Sequence, residues 1–126
     1  MKQTILTVIN QFNTQMVIDS FLGDEVHVVN CDNGFEALSW LHNGQTADLL
    51  VVDMDMPMLN GYDLTDSIRK MKGMYDVPVV MISSRQINLQ RNKSFRIQDD
   101  NYLQKPISPQ QLLNRITENL RFVKVH

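Results

Sequence analysis

Short, dense apolar runs alternate along this chain with longer segments in which apolar residues recur every three or four positions. Thr4 to Ile9, Val26 to Val29, Leu49 to Val52, Val77 to Ile82 and the brief stretch Asn101 to Gln104 predict five strands. Between the first two, Val17 and Phe21, and Ile18 and Leu22, stand four apart after Asn13 and before Gly23, which predicts a helix with one apolar face. Asn33 with Glu36 resembles a capping box, opening a helix that carries Phe35, Ala37, Leu38 and Leu41 and stops at Asn43-Gly44. Leu64, Ile68 and Met71 predict a third helix, with Lys70, Lys72 and Gly73 as its C-terminal signal. The stretch from Arg85 to Gln98 is read as a fourth helix, although Ile87, Leu89, Phe95 and Ile97 fit no clean period. Ser108, Pro109 and Gln111 suit the N-cap, N1 and N3 positions of a last helix whose stripe is Leu113, Ile116, Leu120 and Val123. Strands alternating with helices, joined by right-handed crossovers, predict an α/β fold: a doubly wound parallel sheet covered on both faces.

The run Leu49 to Val52 has no polar alternation, so it suits a central strand buried above and below. Asp53 follows at its carboxyl end, and Pro57 with Asn60-Gly61 turns the chain. In open α/β sheets chemistry gathers outside the carboxyl ends of the strands. Ser83 and Lys105 fall at the ends of two later strands, so a carboxylate, a hydroxyl and an ammonium converge on one sheet edge. That set suits phosphoryl chemistry. Asp53 could act as nucleophile and form an acyl phosphate, Ser83 could donate to a phosphoryl oxygen, and Lys105 could neutralise charge as a point cation. Singly, each residue has a plainer role as turn residue, solvated hydroxyl or surface lysine.

Composition narrows the field. The 126 residues suggest one domain over 1–126, and an apolar fraction of 43% with 21% charged residues is that of a globular chain. A net charge of -2 with no basic run argues against a nucleic-acid partner within this chain, and no apolar stretch has membrane-spanning length. Cys31 is the only cysteine, so a reducing, cytoplasmic setting is expected.

Taken together, Val-Val-Asp-Met-Asp-Met-Pro with Asn-Gly after it, Val-Pro-Val-Val-Met-Ile-Ser-Ser, and Tyr-Leu-Gln-Lys-Pro-Ile resemble the response-regulator receiver domain of two-component signalling. The resemblance covers essentially the whole chain. It implies the flavodoxin-like receiver fold with strand order 2-1-3-4-5 and a signalling module, not an enzyme beyond catalysing its own phosphorylation. It also implies Asp53 as phosphoacceptor, Ser83 as the hydroxyl that follows the phosphoryl group and Lys105 as its partner. Pro106 takes the place of the family's cis peptide, and Tyr102 that of an aromatic that rotates as the switch. The implied partners are a histidine kinase or phosphotransfer protein and a downstream protein. The chain stops after its last helix, so it carries no output domain of its own and is expected to be either a single-domain regulator or a module of a longer protein.

One departure stands against these matches. The family ends its first strand with an acidic pair that holds Mg²⁺, and here the matching positions read Ile9-Asn10. Asp53, Asn10 and the backbone carbonyl of Asp55 remain as metal donors, and losing two carboxylates costs roughly two orders of magnitude in affinity. Weak Mg²⁺ binding is expected, with Asp53 left to pair directly with Lys105. Retention of Asp53, Ser83 and Lys105 favours a phosphorylated receiver, whereas loss of the acidic pair favours an atypical receiver that binds partners regardless of phosphate. A haloacid-dehalogenase-like phosphohydrolase, whose order of Asp53-x-Asp55, Ser83 and Lys105 is superficially similar, fails at Pro57 and in lacking an acidic strand end after the lysine.

Overall fold

The computed structural model describes residues 2–9, 12–84 and 101–120, without the side chains of Phe12 and Asn13. The elements run β1 (Gln3–Val8), α1 (Phe12–Leu22), β2 (Val26–Cys31), α2 (Gly34–His42), β3 (Leu49–Asp53), α3 (Gly61–Arg69), β4 (Val79–Ser83), β5 (Tyr102–Gln104) and α4 (Pro109–Asn119). The helix expected over 85–98, Asn10 and Val123 lie outside the described residues. The five strands form one sheet in the order β2-β1-β3-β4-β5, every pairing parallel, as expected from the alternation.

All five residues of β3 are buried, which fits its place between β1 and β4. Side chains alternate across the sheet into two cores. Leu50, Val52, Val79, Met81 and Tyr102 pack with Ala37 and Leu41 of α2 and with Leu64 and Ile68 of α3. On the opposite face Leu49, Val51, Val80, Ile82 and Leu103 pack with Ile18 and Leu22 of α1 and with Leu112, Ile116 and Leu120. Each fully buried Leu, Ile or Val contributes roughly 1.5–3 kcal/mol relative to exposure, so these layers supply the main driving force.

The helix starts follow local chemistry. Asn33 Oδ1 accepts the Glu36 N–H at 2.9 Å, Asn60 Oδ1 accepts the Asp63 N–H at 2.9 Å, and Ser108 Oγ accepts the Gln111 N–H at 3.3 Å with Pro109 at the first helical position. Two helical stripes are rotated from expectation. In α1 the buried line is Thr14, Ile18 and Leu22, while Phe21 is 68% exposed; in α4 Leu112 is buried and Leu113 is only half-buried. Adjacent pairs spaced four apart define an apolar side without fixing its centre, and the sheet settles which line faces inward. Phe35, in the first turn of α2, is also exposed.

Gly61 is the glycine that matters for position. A Cβ there would stand 2.8 Å from Met54 Cα and 3.2 Å from Asp53 O, so the loop after β3 can fold back on the strand end only without a side chain at this position. Its N–H donates to Met54 O at 3.3 Å, closing that turn. Gly61→Ala is expected to destabilise the protein by about 1–3 kcal/mol through overpacking against backbone. Urea unfolding of the variant checks this, and a shift of less than about 0.5 kcal/mol would show that the loop yields freely.

Candidate functional site

Parallel pairing brings the carboxyl ends of β1, β3, β4 and β5 to one edge of the sheet. The chain runs outward from β1 to β2 on one side and from β3 to β5 on the other, so β1 and β3 flank the topological switch point where such folds place their ligands. Asp53 ends β3 there with its side chain 3% exposed. An isolated carboxylate at that depth is costly, and it requires a positive or donating partner. Lys105 supplies it. The Lys105 N–H donates to Ser83 O at 2.8 Å, which ties the residue after β5 to the end of β4. From there its side chain crosses to β3, and Nζ donates to Asp53 Oδ2 at 2.9 Å and Oδ1 at 3.1 Å. The Lys105-Pro106 peptide bond is cis, at the position the resemblance marks.

Asp55 joins them through its side chain. Its backbone N–H donates to Asp53 Oδ1 at 2.8 Å. Its Oδ2 lies 3.2 Å from Lys105 Nζ and accepts the Ser84 N–H at 2.8 Å. One ammonium therefore sits between two carboxylates, and the loops after β3, β4 and β5 meet through it. The sequence placed the Asp55 backbone carbonyl, and through a bridging water its side chain, at a metal, but not its contacts with Lys105 and Ser84. The Asp-x-Asp spacing at a strand end was the available signal, since two carboxylates so close must either share a cation or repel.

The electrostatics follow this geometry. Burial pushes the Asp55 carboxyl up, but hydrogen bonds from Ser84 and Lys105 and the charge of Lys105 outweigh it and hold the group below its ordinary value. For Lys105 burial works downward, while hydrogen bonds and charges from Asp53 and then Asp55 win and raise it. Ser83 is buried at the end of β4. Tyr102 is buried too, on β5 beside Met81 and within the core under α2 and α3. Cys31 is buried at the end of β2; desolvation, with Glu36 and Asp32 nearby, pushes its thiol up to about 11, so it is inert at neutral pH.

The donors described fit a tightly held Mg²⁺ poorly. Ile9, at the first position of the expected acidic pair, is 1% exposed and belongs to the core on the α1 and α4 face. Asp53 and Asp55 are both engaged by Lys105, and among the described residues no group of three His, Cys, Asp or Glu could hold a metal. Asn10 lies outside the described residues.

A doubly wound sheet in the order 2-1-3-4-5 with carboxylate, lysine and hydroxyl at its carboxyl edge defines a receiver-type α/β domain. The chain belongs to the response regulator receiver domain family, whose sequence pattern matches residues 5–117. It is 30% identical over 117 residues to "Probable transcriptional regulator ycf29" of Pyropia yezoensis, covering 92% of this chain and 52% of that protein. It is 32% identical over 100 residues to "Response regulator SaeR" of Staphylococcus aureus, covering 79% of this chain and 42% of that protein. The chain thus spans about half the length, or less, of these curated relatives. Its fold is that of the chemotaxis protein CheY4 of Vibrio cholerae, with a TM-score of 0.81 at 22% identity over 95% of this chain and all of that one. Receiver domains are signalling modules of two-component systems, and they generally bind Mg²⁺ at their acidic pocket. No helix among the described residues is long and apolar enough to cross a membrane.

Two outcomes follow from the ion cluster. Lys105→Met is expected to cost about 3 kcal/mol at neutral pH, because it leaves Asp53 buried without its cation, and Asp53→Asn added to it should recover most of that loss. A double-mutant cycle by chemical unfolding measures the coupling. Because the folded value of Asp55 lies below 3.8, its stabilisation is complete above 3.8 and is lost as pH falls through the folded value. Wild type should therefore lose melting temperature relative to Asp55→Asn below about pH 4, with a constant difference from about pH 5 to 8.

Proposed function

We propose that Asp53 is the phosphoacceptor of a two-component phosphorelay, with a histidine kinase or phosphotransfer protein as donor. The observation that carries this reading is the buried Asp53 carboxylate gripped on both oxygens by Lys105, beside Ser83 at the end of β4. An Asp53 oxygen attacks phosphorus, the P–N bond of a phosphohistidine breaks, and the imidazole leaves with the bonding electrons and takes up a proton. Lys105, released from the consumed carboxylate charge, turns to the phosphoryl oxygens, and Ser83 donates its hydroxyl to one of them. At most the domain catalyses its own phosphorylation. Domain bounds of 1–126, a cytoplasmic setting and weak Mg²⁺ binding belong to the same proposal, supported by the continuous core, the lone buried cysteine and Ile9 in place of a carboxylate.

A second form of this reading has its own support. The cluster of Asp53, Lys105, Asp55 and Ser84 is closed without a phosphoryl group, and Tyr102 already packs inward. A downstream protein that binds along β5 and α4 would then depend little on phosphate. The second form predicts that a downstream partner binds wild type and Asp53→Ala equally well, and the first is tested with phosphoramidate as donor and intact-mass readout. Wild type is expected to gain one phosphoryl group slowly, and Asp53→Asn none. Ile9→Asp with Asn10→Asp should strengthen Mg²⁺ binding on the order of a hundredfold and speed the reaction in its presence. Labelling that persists in Asp53→Asn would overturn the assignment.

A further inference from the structure

Asp55 holds more of the site than any residue except Lys105. Its N–H is committed to Asp53 Oδ1, which fixes the peptide, and its Oδ2 reaches back over the strand end to Ser84 N–H at 2.8 Å and Lys105 Nζ at 3.2 Å. These two donors are the ones that an anion attached to Asp53 would need, since Lys105 already touches Asp53 and Ser84 follows Ser83 at the end of the neighbouring strand. We infer that the Asp55 side chain is a gate on Asp53, an internal anion that holds the Ser84 N–H and one side of the Lys105 ammonium and that an incoming phosphoryl group must displace. The inference rests on the reading of Asp53 as phosphoacceptor.

Charge makes displacement necessary. The resting cluster holds two carboxylates against one ammonium. Forming an acyl phosphate removes the Asp53 charge but brings about -1.5 to -2 on the phosphoryl oxygens, beside the same Asp55. Like charges at this range repel, and the donors cannot serve both anions fully. Asp55 has somewhere to go, because its side chain is 24% exposed against 3% for Asp53. Entry of the phosphoryl group and transfer of the Ser84 N–H from Asp55 to an oxygen carried by Asp53 are then one event.

The experiment measures initial rates of Asp53 phosphorylation by phosphoramidate in wild type, Asp55→Asn and Asp55→Ala, each checked for a native amide spectrum. Asp55→Ala is expected to react on the order of tenfold faster than wild type. Asp55→Asn keeps an acceptor for Ser84 N–H without the charge and should fall between. Rates equal to or below wild type in folded variants overturn the gate. A second arm follows the Ser84 amide during titration with inorganic phosphate. It should respond in Asp55→Ala at roughly tenfold lower concentration than in wild type. Equal response, or none in Asp55→Ala, overturns the inference. If Asp53 stays unmodified in every variant, the phosphoacceptor reading fails, and the amide titration still decides on Asp55.

Discussion

Asp53 is a carboxylate with 3% of its side chain exposed, and the architecture of the functional edge follows from keeping it charged there. Water cannot solvate it, so the cation must come from the chain and must arrive with good geometry, because a buried ion pair stabilises only when its remaining valences are satisfied. Lys105 meets that demand with contacts at 2.9 and 3.1 Å, and the β5 to α4 connection is held in place by its own N–H on Ser83 O. The demand extends to the β3 loop, where Gly61 lets the backbone close over the strand end and Asn60 caps α3. The same ammonium then pulls in Asp55, which engages Ser84. Three loops that share no sequence proximity are thus tied by one side chain.

Replacement of the family's acidic pair changes what surrounds this cluster. Ile9 faces the core with Ile5, Ile18 and Leu112, so the end of β1 contributes apolar packing where a receiver with its acidic pair intact contributes charge. Two carboxylates fewer at the switch point lower the local negative potential, and a single ammonium can then balance most of what remains.

Much of this was legible in the sequence because it depends on local rules. Leu49 to Val52 declares a doubly buried strand by lacking alternation, and Asn33, Ser108 and Pro109 mark helix starts by chemistry that acts within four residues. Strand-end Asp53, Ser83 and Lys105 could be brought together because parallel strands share one carboxyl edge. Helix rotation was less accessible: Phe21 and Leu113 were placed inward on spacing alone, and only the sheet beneath α1 and α4 determines that Ile18 and Leu112 take those positions. The contacts of the Asp55 side chain with Lys105 and Ser84 were missed for a related reason. Whether a carboxylate two residues past a strand turns to solvent or back over the strand depends on donors from the ends of β4 and β5, distant in sequence.

The shared cation also limits how such a domain can switch. A ligand shifts a conformational equilibrium only by its differential affinity for the two states, so the groups that change partners set the size of the response. With Asp53 as the proposed phosphoacceptor those groups are Lys105, Ser83 and Ser84, and all of them lie at the ends of β4 and β5. Tyr102, in register with Met81 two residues before Ser83, lies on the same strand pair and is packed under α2 and α3. A conformational change that reaches the β5 and α4 surface can pass through Lys105 itself or through the Ser83-Ser84 backbone, which Asp55 holds to β3. The strength of that hold, set against the charge of an arriving phosphoryl group, decides whether the surface responds to Asp53 or stands as it is.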